Sequence, residues 1–173
     1  MQTKDALTFA LTMSDRAVLS SIEEMRDRPT TFPTPKGGCH PLWVLGHLSL
    51  IEGGIPNVLF GEPNPVADWY PLFGEGSEPV ADASAYPAFD EVLAKYRALR
   101  ANNLSILAGL SEADLDRATA APPKGREREF ATFGQTFLVL AMHQILHRGN
   151  VTDARRAAGQ GTVARAAAGA AAR

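Results

Sequence analysis

Apolar residues recur every three or four positions along four separate stretches of the chain, and that period predicts four helices. In the first, over residues 4–27, Leu7, Leu11, Ser14, Val18, Ile22 and Met25 share a face, while Lys4, Asp5, Asp15, Arg16, Glu23 and Glu24 fall mostly elsewhere. Pro29, Pro33 and Pro35 stop it and keep the connector extended, and Gly37 and Gly38 add turn freedom. The second helix is expected from Pro41, where a proline loses no needed hydrogen bond, to about Phe60-Gly61. From Leu42 to Leu50 it is apolar on all sides, which predicts a buried helix, and Gly53, Gly54 and Pro56 predict a kink. Residues 61–86 read as a long irregular connection whose Trp69, Tyr70 and Phe73 should pack it down onto the bundle.

A third helix is expected from about Pro87 to Leu110, with a stripe from Phe89 through Val92, Leu93, Tyr96, Leu99, Asn103, Ile106 and Leu107. Ser111 to Asp114 reads as a short capped turn and 116–131 as a polar loop. Thr132 and Gln135 fit a capping box that opens a fourth helix running to about Ala158. Residues 1–158 are thus expected to form one all-α four-helix bundle. The Ala/Gly/Arg-rich stretch 159–173 should be a disordered tail with no share in the core.

Composition narrows the function. The chain has 173 residues, 45% hydrophobic and 21% charged, which fits one ordinary globular domain. A net charge of −2 and a pI of about 6.1 give no reason to expect nucleic acid or an anionic membrane as partner. Apolar runs are interrupted short of ~20 residues, so no membrane-spanning helix is expected. The N-terminus lacks a charged-then-apolar layout, and Cys39 is the single cysteine. A disulfide framework is excluded, and a cytoplasmic location is the expectation.

The chemistry concentrates in the histidines. His143 and His147 lie four apart on the fourth helix, on one face, and His47 sits in the buried second helix. An uncharged imidazole in an apolar core needs a polar partner, at a cost of ~1–3 kcal/mol when it has none. A shared divalent ion satisfies all three rings, so His47, His143 and His147 are the expected metal ligands. Such a site keeps positions open and suits zinc, nickel, copper or iron. His143-Gln144 lacks the glutamate of a zincin helix, and no Glu-x-x-His pair suggests a di-iron centre. An i, i+4 pair cannot reach both faces of a haem.

Asn150 shares the face of the histidine pair and is a candidate to bond substrate or metal-bound water. Gly149 suggests close backbone packing or access to the ion. Glu52, about 140° round the helix from His47, is a candidate for acid–base work near the ion or for orienting a ligand. Arg148 lies off the ligand face, His40 suits a cap or the surface, and Cys39 has no evident base to make it a nucleophile.

Trp43-Val44-Leu45-Gly46-His47-Leu48, with Phe133-Gly134-Gln135 leading into His143-Gln144-Ile145-Leu146-His147-Arg148-Gly149, resembles the DinB/YfiT-like superfamily. The resemblance covers about residues 5–158. It implies an up-down-down-up four-helix bundle, often a homodimer, with a divalent metal, zinc or nickel, on the three matching histidines. It implies as activity a thiol-dependent S-transferase acting on a small-molecule electrophile, the thiol being of low molecular weight. The alternatives are a metal-dependent hydrolase or a non-enzymatic metal-binding, stress-response bundle. Leftover apolar residues on the first and third helices would suit a dimer.

Overall fold

The computed structural model describes residues 1–27, 30–31 and 38–159. Among them the chain is all-α, with four long helices and no strand; one isolated bridge joins Ala118 and Thr132. Helix α1 spans Thr3–Glu23 and α2 Pro41–Phe60; α3 is a single turn, Tyr70–Phe73; α4 spans Phe89–Gly109 and α5 Phe133–Ala157. The first helix is shorter than its apolar spacing suggests. Residues 24–27 leave it as turns, although Met25 stays fully buried. The expected tail falls, beyond Gly159, outside the described residues, as do Pro29, Pro33, Pro35 and Gly37 of the first connector.

The ends follow from local chemistry. The Glu112 carboxylate, from the turn after α4, accepts the backbone N–H groups of Thr3 and Lys4 and so closes the start of α1. Asp114 accepts from Ser111 as the capped turn requires. His40 caps α2: its Nδ1 accepts the Trp43 N–H at 3.0 Å, and its Nε2 donates to the Val80 carbonyl at 3.0 Å. It is buried there, not on the surface. Gly61, at φ 77°, takes the left-handed position that ends α2. The capping box at Thr132 and Gln135 is formed.

Helix α2 continues unbroken through Gly53, Gly54 and Pro56. Proline has no N–H to give the Glu52 carbonyl one turn back. Asn103 of α4 supplies the missing donor, its Nδ2 lying 2.9 Å from that oxygen. Gly53 admits the connection that follows, since a Cβ there would lie 2.3 Å from Asn64 Oδ1. By length and hydropathy α2 qualifies as membrane-spanning, but 83% of that stretch is covered by the other elements, as suits a core helix.

Helix α1 packs chiefly on α5, and α2 on α4 and α5. The apolar core has two parts. One gathers Val18, Ile22, Leu45, Leu48, Phe73, Val92 and Val151; the other gathers Leu7, Leu11, Ile55, Leu107, Phe137 and Leu140. Between them, at matching heights on four helices, lies a buried polar layer. Arg100 donates from Nη1 to Glu52 Oε1 at 2.9 Å and from Nη2 to Gln144 Oε1 at 2.7 Å. Asn103 donates to Glu52 Oε2 at 2.7 Å, and Gln144 donates from Nε2 to Glu52 Oε1 and to the Tyr96 hydroxyl. Ser14 donates to Gln144 Oε1, and the Tyr96 hydroxyl donates to Asp15.

Large apolar side chains remain exposed on α1 (Phe9, Met13) and α5 (Leu138, Met142, Ile145, Leu146). None of the exposed large apolar residues is on α4, the third long helix, where leftover apolar surface was expected.

Breaking a buried ion pair from one side leaves the other charge uncompensated, at about 3–5 kcal/mol. Arg100→Met is therefore expected to cost about that much in urea unfolding, and adding Glu52→Gln should restore part of it by removing the stranded charge. A fully stable Arg100→Met protein would show that the layer is not what joins the helices.

Candidate metal centre

His47, His143 and His147 converge. Each offers a ring nitrogen, and the three nitrogens lie within 4.8 Å of one another. His47 Nε2 and His143 Nε2 are 3.1 Å apart. Ligand nitrogens at ~2.0–2.1 Å from a tetrahedral ion stand roughly 3.3 Å apart, so this pair is already close to a shared-ion spacing. The ring centres of His143 and His147 are 4.5 Å apart, and those of His47 and His147 4.7 Å.

The sequence next to His47 explains how its ring is aimed. Gly46 has no side chain, and a Cβ there would lie 2.3 Å from the Phe73 ring. That vacancy lets α3 press against α2, where the Phe73 carbonyl accepts a hydrogen bond from His47 Nδ1 at 2.8 Å. A carbonyl only accepts, so Nδ1 carries the proton and Nε2 presents its lone pair to the other histidines. Trp43 stacks on the same ring, 4.9 Å between centres and 7° between planes, and its own Nε1 donates to Ser77 at 2.9 Å. The connection thus packs down through Phe73 and the half-buried Trp69, while Tyr70 stays exposed, and it sets the tautomer of His47.

Burial lowers the pKa of all three imidazoles. His47 lies below its usual range chiefly through desolvation, opposed by its bond to Phe73. Desolvation, then the positive charges of His47 and Arg126, pulls His143 down to about 4. Desolvation, then His143 and His47, takes His147 to about 3. At neutral pH the three rings are uncharged donors, the form that a metal needs.

A DinB superfamily profile matches residues 10–151, a span holding all three histidines. The chain belongs to the DinB superfamily. No curated protein matches it. In this DinB chain the histidines open onto a cavity of about 480 Å³, walled by Trp43, Leu50, Ile51 and Tyr70 and edged by Cys39, Glu75 and Arg126. The donor set fits a divalent ion: three neutral nitrogens, one tautomer already fixed, and no further histidine, cysteine or carboxylate in the cluster among the described residues.

The other candidates are placed as follows. Asn150 Nδ2 lies 3.3 Å from His147 Nδ1, so this amide touches the His147 ring and can orient it. Glu52 is buried in the polar layer, and the hydrogen bonds of its carboxylate go to Arg100, Asn103 and Gln144 and to none of the three histidines. Burial pushes that carboxyl above the usual range, with Arg100 and Asn103 pulling it back. Gly149 has open space where a Cβ would stand, so close packing does not explain it. Cys39 edges the cavity, and burial raises its thiol pKa, which keeps it protonated. The Phe73 carbonyl, Glu75 and Arg126 escaped the sequence reading. Gly46 beside His47 was a signal for the first; nothing in the spacing marks the other two.

A histidine with a lowered folded pKa favours its neutral form, so its stabilising share is present above the unfolded value and lost as pH falls. Unfolded histidines protonate near 6.5. In chelator, the protein should therefore lose stability steadily from about pH 6.5 towards 4. The His143→Ala, His147→Ala double variant should show a shallower loss in urea midpoints across that range. Parallel profiles for the two proteins would contradict the burial of neutral rings.

Proposed function

We propose that this protein is a divalent-metal-dependent enzyme that transfers a low-molecular-weight thiol to a small electrophile. The observation that carries the reading is the trio of neutral imidazoles facing a solvent-reached cavity, with no fourth protein ligand in the cluster among the described residues. An ion of zinc or nickel bound there would supply Lewis acidity that keeps a thiol as thiolate at neutral pH. The chain's own residues do the rest. Phe73 and Trp43 hold His47 in one tautomer and one plane. Asn150 steadies His147. Trp43, Leu50, Ile51 and Tyr70 offer an apolar wall for the electrophile and keep part of the water away from it.

Hydrolysis is the less favoured chemistry. It gains from a carboxylate base beside the ion, and the hydrogen bonds of Glu52 are committed elsewhere. A purely structural ion would be expected in a closed site of four protein ligands, which the cluster does not offer among the described residues.

Two features of assembly belong to the same proposal. The long connection between α2 and α4 permits the up-down-down-up order, since it can cross the bundle. The apolar strip of Phe9, Met13, Leu138, Met142 and Leu146 suits a homodimer, because a contiguous exposed apolar face marks an interaction site and a two-fold contact uses one face twice.

Metal analysis of the purified protein should find about one ion per chain, lost in the His143→Ala, His147→Ala double variant. Equal metal in both would remove any metal-dependent function. With a panel of small thiols and a model electrophile, thiol consumption should depend on His47; no turnover with any thiol would favour hydrolysis instead. Light scattering should give twice the 18.5 kDa chain mass, falling to one chain when Met142→Lys and Leu146→Lys are combined.

A further inference from the structure

Most polar groups lining the cavity are already committed. Ser77 accepts from Trp43 and donates to the Leu72 carbonyl. Asn64 donates to the Leu50 carbonyl and accepts the Val66 N–H. Besides the Tyr70 hydroxyl and the Cys39 thiol, the lining carries a pair of opposite charges, Arg126 and Glu75. Both edge the same cavity onto which His47, His143 and His147 open.

Arg126 is held in a specific pose. Its Nε and Nη2 both donate to Glu129 Oε2, and its guanidinium lies over the Phe130 ring, 5.0 Å from the centroid. Those two contacts fix the plane of the fork and leave Nη1 without a partner among the described residues. A cation beside a dication site weakens metal binding, so a guanidinium with a purely structural role, already served by Glu129, gains nothing from edging this cavity. An anionic guest turns that repulsion into attraction, because it would sit between two positive centres. Glu75, the other charge at the cavity edge, repels such a group and leaves Arg126 as its place.

We propose that the cavity takes a small molecule bearing a carboxylate, and that Arg126 receives that carboxylate while the reacting end lies at the three histidines; the second half rests on the thiol-transfer reading above. Arg126 is then a specificity-determining residue that contacts substrate without contacting the reacting atoms. Charge-assisted hydrogen bonds from a forked donor favour a carboxylate over an uncharged group of equal size. For a half-exposed arginine, already shared with Glu129, about tenfold in affinity is the expected scale.

The test uses the full chain loaded with cobalt(II) and follows its visible absorption on titration. 3-Mercaptopropionate should bind about tenfold more tightly than 2-mercaptoethanol. In Arg126→Gln that ratio should fall to near one, and in Glu75→Gln it should rise; circular dichroism and cobalt content check that each variant is folded and loaded. Equal affinities in the parent protein, or a preference that survives Arg126→Gln, would overturn the assignment. If neither thiol perturbs the cobalt spectrum, the thiol-transfer reading fails by itself. Acetohydroxamate against its carboxylate-bearing succinyl analogue then decides Arg126 on the same terms.

Discussion

The Glu52 carboxylate, buried at the centre of the bundle, is the constraint on which the remaining structure depends. A charge taken out of water must be met on every side, and here the meeting groups come from two other helices: Arg100 and Asn103 of α4, and Gln144 of α5. Gln144 uses both its donors and its acceptor oxygen inside the layer, and Ser14 of α1 completes it. These bonds form together at one relative height and rotation of the helices, and among the described residues they leave Arg100 Nε and Asn103 Oδ1 as the layer's buried atoms without a partner. Apolar packing alone would tolerate several.

That restriction reaches the histidine cluster through α5. Gln144 stands between His143 and His147 in the chain, about 100° round the helix from its neighbour. Holding the Gln144 side chain in the core layer turns the two histidines towards α2 and the cavity. On the other side Pro56 frees the Glu52 carbonyl for Asn103, which ties α2 to α4 at the same level. The three histidines are therefore presented by helices whose rotation is set a turn or less away, by hydrogen bonds that involve none of their rings.

The connection between α2 and α4 acts as a second support. It brings Phe73 into the gap that Gly46 leaves, and with it the carbonyl that decides which nitrogen of His47 is free. It also carries Glu75, while the loop before α5 carries Arg126, so the two segments without long helices supply the charges at the cavity edge. The division is physical: the long helices fix the positions of the histidines, and the loops place the charges at the cavity edge.

Much of this was legible in the residue order. The helical period located four long helices, the His40-Pro41 start and the Thr132 cap set two of their beginnings, and Gly61 marked an end. The spacing of His143 and His147, with His47 on an apolar helix, picked out the three histidines that converge, because period and side-chain chemistry are local properties. Tertiary structure alone decided the rest. Glu52 looked available to the histidine site until its partners on α4 and α5 were seen, and Arg126 and Glu75 looked like ordinary loop charges. Whether a buried carboxylate is a base or a brace depends on which distant groups reach it. No local pattern encodes that, since the partners lie 48 and 92 residues away and meet it only when the helices pack.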